Sequence, residues 1–185
     1  MRTFIAINIP SSLGLQDLYH DLCLNLKGID IKYSEINNLH ITLAFLGETK
    51  PEQIEMIGSG LEVITIESNA IELDLYGLGV FKNFHNPQVL WVGIKTNDAL
   101  RQLWVLVNQV IEQHGFKPDE RGFSPHLTIG RIKKTFPGHN LVQFIKKYEN
   151  VSLGHLLIKD FVFYQSILKP EGPIYKPIQQ FSINK

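Results

Sequence analysis

The sequence predicts an α+β protein of two pseudo-symmetric lobes, each a mostly antiparallel sheet with helices on its outer face, forming a central cleft. Three observations point there. A His-x-Thr segment occurs twice, so that "LHITLAFLGET" at 39–49 aligns with "PHLTIGRIKKT" at 125–135. Each half reads strand, helix, strand, shorter helix, strand. No Ser/Gly-rich tract or charge run separates the halves. Residues 1–185 are therefore expected to form a single domain of two duplicated lobes, about 1–85 and 86–185, with the C-terminal strand free to return to the other lobe.

Taken in order, "FIAINI" at 4–9 is a strand, and the repeat carries it onto "LWVGIK" at 90–95. A helix is expected over about 11–27, capped by Ser11, with Leu15, Leu18, Tyr19, Leu22, Cys23 and Leu26 at helical spacing. Cys23, the single cysteine, is read as a core side chain of that stripe. After the first motif strand, Thr49-Lys50-Pro51-Glu52 has the capping-box form with proline in the first turn, predicting a helix over about 50–65. A strand starts at Ile71, and Gly77, Gly79, Asn83, Asn86 and Pro87 mark the turn before Val89–Lys95. Asn97, equivalent to Ser11, precedes a helix over about 97–114, where Leu100, Leu103, Trp104, Val107, Val110 and Ile111 form one apolar face. Thr135 and Pro137 suggest the second short helix, Leu157 starts the counterpart of the strand at Ile71, and a closing strand covers about 175–183.

Composition limits the function classes. The chain is 44% hydrophobic and 19% charged, with 18 basic against 18 acidic residues, which excludes disorder and a nonspecific coat for nucleic acid or acidic membrane. Any anion site must be local. The opening apolar run is too short for a signal-peptide core, and no stretch reaches the roughly 20 apolar residues of a membrane helix. A reducing, cytoplasmic setting is expected.

In an extended strand, side chains two apart share a face, so His40 points with Thr42 and His126 with Thr128. Leu39, Ile41, Leu43, Leu127 and Ile129 take the opposite, buried face. A single such histidine on an apolar strand is more often structural; the same pair found twice points to one shared cleft. Two imidazoles there can take one proton and give another across a reacting centre, because histidine titrates near neutral pH. Two hydroxyls can donate to anionic oxygens. That set suits in-line attack at a phosphate ester and needs no metal or other cofactor. No histidine, cysteine or carboxylate lies near either motif at zinc-ligand spacing. His20, His85, His114, His139 and His155 show no paired pattern and are read as surface or loop residues.

These residues resemble the two-histidine (2H) phosphoesterases, and among them the bacterial and archaeal RNA 2',3'-cyclic phosphodiesterase group, also called 2'-5' RNA ligases. The similarity runs through "MRTFIAINIP", "NLHITLAFLGE", "GLGVF", "VLWVGI", "SPHLTIGR" and "FVFYQSILKPEGPIYKPI", nearly the whole chain. It implies a two-lobed fold and hydrolysis of a terminal 2',3'-cyclic phosphate to a 2'-phosphate. By carry-over His126 is the general base, His40 the general acid, and Thr42 and Thr128 hold the phosphate. Phe45 and Arg131 match positions that contact the terminal nucleoside. The implied partners are RNA ends or cyclic nucleotides, for a monomer with no membrane and no obligate protein partner.

Phe45 and Arg131 raise a parity conflict. Each stands five residues after its histidine, which on a regular strand is the opposite face. A bulge would resolve it, and Gly130 offers the second motif that freedom while Ala44 offers the first none comparable. The chain also has Tyr33 and Ile36 where relatives commonly carry tryptophan and proline, which alters only the edge of the cleft. Lys82, Arg121, Lys133 and Lys134 are basic residues near enough in sequence to line it, with no role assigned. Three functions remain open: an RNA-end phosphodiesterase, a 2H enzyme for a small cyclic nucleotide or a 2'-5' linkage, and a noncatalytic RNA-end binder.

Overall fold

Apolar residues on both faces make Arg2–Asn8 an interior strand, β1, in a computed structural model that describes residues 1–66, 68–95, 97–120, 122–133, 139–170 and 172–183. The order continues α1 (Leu13–Asn25), β2 (Ile31–Tyr33), a 3₁₀ turn (Ile36–Asn38), β3 (His40–Glu48), α2 (Pro51–Thr65) and β4 (Ile71–Phe81). Then come β5 (Val89–Lys95), α3 (Asp98–Gln113), β6 (His126–Ile132), α4 (His139–Tyr148), β7 (Ser152–Ile158), β8 (Asp160–Leu168) and β9 (Pro173–Ser182). The predicted α+β class holds, with two antiparallel sheets ordered β3-β1-β8-β9 and β2-β6-β5-β4-β7.

Each sheet draws on both halves of the chain. Strands β8 and β9 complete the sheet of β1 and β3, while β2 and β4 complete that of β5 and β6. The helices cross as well: α3 packs on β3 and α2 on β9, whereas α1 packs on β7 and α4 on β4. One continuous buried cluster joins the sheets to the helices, including Ile5, Ile41, Leu61, Leu75, Leu103, Leu127 and Phe163. Burial of that apolar surface is the main force holding the halves together.

Several boundaries differ from the sequence reading. Ser12, not Ser11, caps α1, its Oγ accepting the Leu15 N–H at 3.3 Å, whereas Asn97 caps α3 with Oδ1 accepting from Leu100 at 2.8 Å. In agreement, Asn8 faces His40 while Gly93 faces His126, so β1 and β5 align one residue out of step with the motif strands. Lys50 rather than Thr49 stands at the start of α2; its N–H donates to Gln53 Oε1 at 3.1 Å, and the Thr49 hydroxyl is instead buried against Thr3 at 2.7 Å. Cys23 is exposed, not core. At about 100° per residue it lies about 95° from the centre of the Leu15, Leu18, Leu22 and Leu26 stripe, beyond the buried arc. Thr135 and Pro137 fall outside the described residues.

Gly77 and Gly79 lie within β4, not in the turn. Gly77 adopts φ 70° where the β4–β5 register shifts, a left-handed conformation that glycine takes without Cβ strain. Gly79 faces Trp91 across the ladder, and a methyl group there would overlap the indole ring. Gly79→Ala is expected to lower stability by about 1–3 kcal/mol. The check is the midpoint of urea denaturation, and an unchanged midpoint would mean that the ring has room to move aside.

Candidate active site

The motif strands alternate as the sequence predicts up to the fourth residue. His40 and Thr42 are half-buried on one face while Ile41 and Leu43 are buried on the other; His126, Thr128, Leu127 and Ile129 repeat this. Then both strands break register. On β1, Ala6 faces Thr42 and Ile5 faces Ala44, which leaves Leu43 as an extra residue. On β5, Trp91 faces Thr128 and Leu90 faces Gly130, which leaves Ile129 extra. Phe45 therefore pairs with Phe4, on the same face as the Ala6–Thr42 and Asn8–His40 pairs, and Arg131 pairs with Val89 on the face of His126. The bulge in β3 corrects the expectation for Ala44, because a bulged residue near the helical region needs no glycine. Phe45 is 71% exposed, which excludes a core role.

The carbonyl of each bulged residue is tied to a helix from the other half. Leu43 O accepts Asn108 Nδ2 of α3 at 3.3 Å; Ile129 O accepts the Ser34 N–H at 3.0 Å and shares the single Tyr19 hydroxyl proton of α1, 3.3 Å away, with Ser34 O at 3.0 Å. Asn108 is itself buried, and its amide also donates to Trp104 O at 2.7 Å.

Both histidines are held alike. His40 Nδ1 lies 2.8 Å from Asn38 O, and His126 Nδ1 lies 2.8 Å from Ser124 O. A carbonyl only accepts, so Nδ1 carries the proton in each ring and Nε2 is left for proton exchange. Aromatic rings surround them: Phe4 and Tyr175 each lie 5.1 Å from His40, and Phe81 stands edge-on to His126 at 4.9 Å. Burial pushes His40 below the ordinary histidine value, with the Asn38 bond opposing and the His126 charge adding to the effect. The close approach of β3 to β6 brings the two motifs together, near enough for the His126 charge to be felt at His40. Neither threonine hydroxyl has a hydrogen-bond partner among the described residues.

Arg131 is exposed on the cleft face of β6, with Lys32 beside it on β2. Lys32 escaped the sequence reading because β2 is only three residues long. Lys82 and Lys133 are exposed at strand ends, and Arg121 and Lys134 fall outside the described residues. Tyr175 was equally hidden: it sits on β9, far from either motif in sequence, yet its ring borders His40 and the Arg131 charge reaches its phenol. Of the other histidines, His20, His85 and His155 are exposed, the last bonded to Asp74 at 2.8 Å; His114 ends α3 and His139 begins α4. Among the described residues no three His, Cys, Asp or Glu side chains gather as a metal site, and no helix is long and apolar enough to cross a membrane.

Two bulged strands, one from each half of the chain, thus present paired His-x-Thr faces. A family model described as the 2'-5' RNA ligase superfamily matches residues 29–153. An RNA 2',3'-cyclic phosphodiesterase of Archaeoglobus fulgidus is 35% identical over 182 residues, covering 98% of this chain and 99% of that protein. One from Methanocaldococcus jannaschii is 34% identical, covering 98% and 100%. In fold, a Thermus thermophilus protein of known structure matches with a TM-score of 0.83 at 24% identity, covering 99% and 98%. E. coli LigT complexed with 3'-AMP matches at 0.79 and 22%, covering 100% and 98%. The chain belongs to the 2'-5' RNA ligase superfamily.

Two outcomes follow for the site. A folded value below the unfolded one means that the native state holds fewer protons, so the stability His40 contributes is full at neutral pH and is lost as pH falls from the ordinary histidine range through the lowered value. In an NMR titration, His40 should titrate below 6.5 in the free protein, and inorganic phosphate should move its midpoint upward; a midpoint at or above 6.5, or one insensitive to phosphate, would contradict this geometry. Asn108→Ala should cost about 1–3 kcal/mol in urea denaturation, because it strands the buried Leu43 carbonyl.

Proposed function

We propose that this chain hydrolyses an RNA-terminal 2',3'-cyclic phosphate to a 2'-phosphate without a metal, residues 1–185 acting as one catalytic unit in the cytoplasm. The observation that carries the reading is the matched pair of imidazoles, each with Nδ1 spent on the carbonyl two residues back and Nε2 left for the cleft. The names of the A. fulgidus and M. jannaschii relatives support the same substrate, and the 3'-AMP complex of LigT supports recognition of a nucleotide.

In the proposed step, His126 Nε2 takes a proton from water as its oxygen bonds to phosphorus. The bond from phosphorus to O3' breaks in line, and His40 Nε2 donates the proton that makes O3' a hydroxyl. Thr42 and Thr128 donate to the nonbridging oxygens, where their unpaired hydroxyls meet the charge that develops. The free protein disfavours the protonated His40 that an acid needs, and the negative charge of the bound cyclic phosphate favours it again. Arg131 and Phe45 flank the terminal nucleoside, Arg131 as a cation at the rim and Phe45 as an exposed face on which a base can stack. With a 5'-hydroxyl in place of water as the nucleophile, the same base and acid would form a 2'-5' linkage, the new bond running from O5' to phosphorus and the bond to O3' breaking as before.

The test is product analysis on a short RNA ending in 2',3'-cyclic phosphate, with EDTA present. Wild type should give the 2'-phosphate, and His40→Ala and His126→Ala should each lose about 10²–10⁴-fold in rate. Thr42→Val and Thr128→Val should each lose up to about 10²–10³-fold as donors to developing charge. A 3'-phosphate product, or full activity in either histidine variant, would overturn the proposal.

A further inference from the structure

In the ladder of β2 with β6, Lys32 pairs directly with Arg131, and beyond the Ile31–Ile132 pair the chain sets Asp30 against Lys133. The outer rung joins opposite charges and the inner one like charges. Cross-strand partners share a face, so Lys32 lies with Arg131 on the cleft side, and both side chains are exposed. Like charges at directly opposed positions destabilise a ladder. Nothing nearby relieves this pair: the other cross-strand neighbour of Arg131 is Val89, β2 is an edge strand, and neither cation has an ion pair among the described residues. An anion between them would remove the repulsion.

That anion is not the phosphate between the histidines. Thr128 faces Trp91 and Arg131 faces Val89, so the two rungs stand two β5 residues apart, about 7 Å along the strand, and Lys32 is displaced from them by one further strand. On an RNA end, the anionic group one sugar away from the cyclic phosphate is the phosphodiester on O5'. Lysine supplies a point charge for such a group, and arginine a planar fork that donates two hydrogen bonds. We propose that Lys32 and Arg131 together bind the phosphodiester on O5' of the terminal nucleotide, which makes Lys32 a residue that selects RNA ends over free nucleoside cyclic phosphates. The inference rests on the phosphodiesterase reading above and names a part of the substrate, beyond the reacting phosphate, that the enzyme recognises.

The experiment compares kcat/KM for a dinucleotide ending in 2',3'-cyclic phosphate with that for the same dinucleotide whose internal linkage is a neutral methylphosphonate. The bases and the reacting group are then constant, and only the charge at the linkage differs. Wild type should prefer the charged linkage by about 10-fold or more, the scale of one charge-assisted hydrogen bond. Lys32→Gln should bring that ratio toward one, whereas Lys133→Gln, which removes a cation already opposed by Asp30, should keep it. Equal kcat/KM for the two substrates in wild type would overturn the subsite, as would a ratio that Lys32→Gln leaves unchanged. A ratio that both variants lower equally would also overturn it, because that is the mark of a diffuse field rather than a site. If wild type turns over neither substrate, it is the phosphodiesterase reading that fails. The subsite is then decided by calorimetric titration with the two dinucleotides carrying 2'-phosphate ends: tighter binding of the charged linkage that is lost in Lys32→Gln supports it, and equal affinity or no binding overturns it.

Discussion

Strict alternation along a strand would send Phe45 and Arg131 into the core; one extra residue at Leu43 and one at Ile129 turn both onto the cleft. The rest of the site depends on this pair of bulges. Before each bulge the strand presents an imidazole and a hydroxyl, and after it a side chain that reaches outward from the same face. The chain stays buried through the bulge itself, at Leu43 and Ala44 and at Ile129 and Gly130. A bulge of this kind is held by whatever satisfies its backbone, here Asn108 on α3 and Tyr19 on α1. Each helix belongs to the other half of the chain, so neither motif strand is finished by its own half. Pseudo-symmetry in sequence thus becomes interdependence in space.

The two histidines are alike in their tether and unlike in their surroundings. A carbonyl two residues back fixes the tautomer of each, which removes the ambiguity that a free imidazole would bring to proton transfer. His40 is more enclosed, with Phe4 and Tyr175 against it, and burial disfavours its charged form. Those aromatic contacts desolvate His40.

Much of this was legible in the sequence. Alternation gave the inward and outward faces of both motif strands, and the repeat paired His40 with His126 before any geometry was known. What periodicity cannot carry is which strand lies beside which. The exchange of β4 and β8 between sheets, the one-residue offset of β1 from β5, and the approach of Tyr175 to His40 are all long-range pairings with no local signature. Local signals misled where tertiary contact overrode them. Gly77 and Gly79 read as turn residues, yet one serves a bulge and the other makes room for Trp91. Cys23 kept helical spacing with Tyr19 but fell outside the buried arc.

The central claim is that two histidines from two halves act on one phosphorus in one step. The most direct measurement is a double-mutant cycle in kcat for RNA 2',3'-cyclic phosphate hydrolysis, joining His40→Ala and His126→Ala with the double variant. Groups that act as a unit are grossly non-additive, so the double variant should be little slower than the slower single one. If the two losses multiplied in full, the histidines would be acting independently, and the account of a shared acid and base in one cleft would be contradicted.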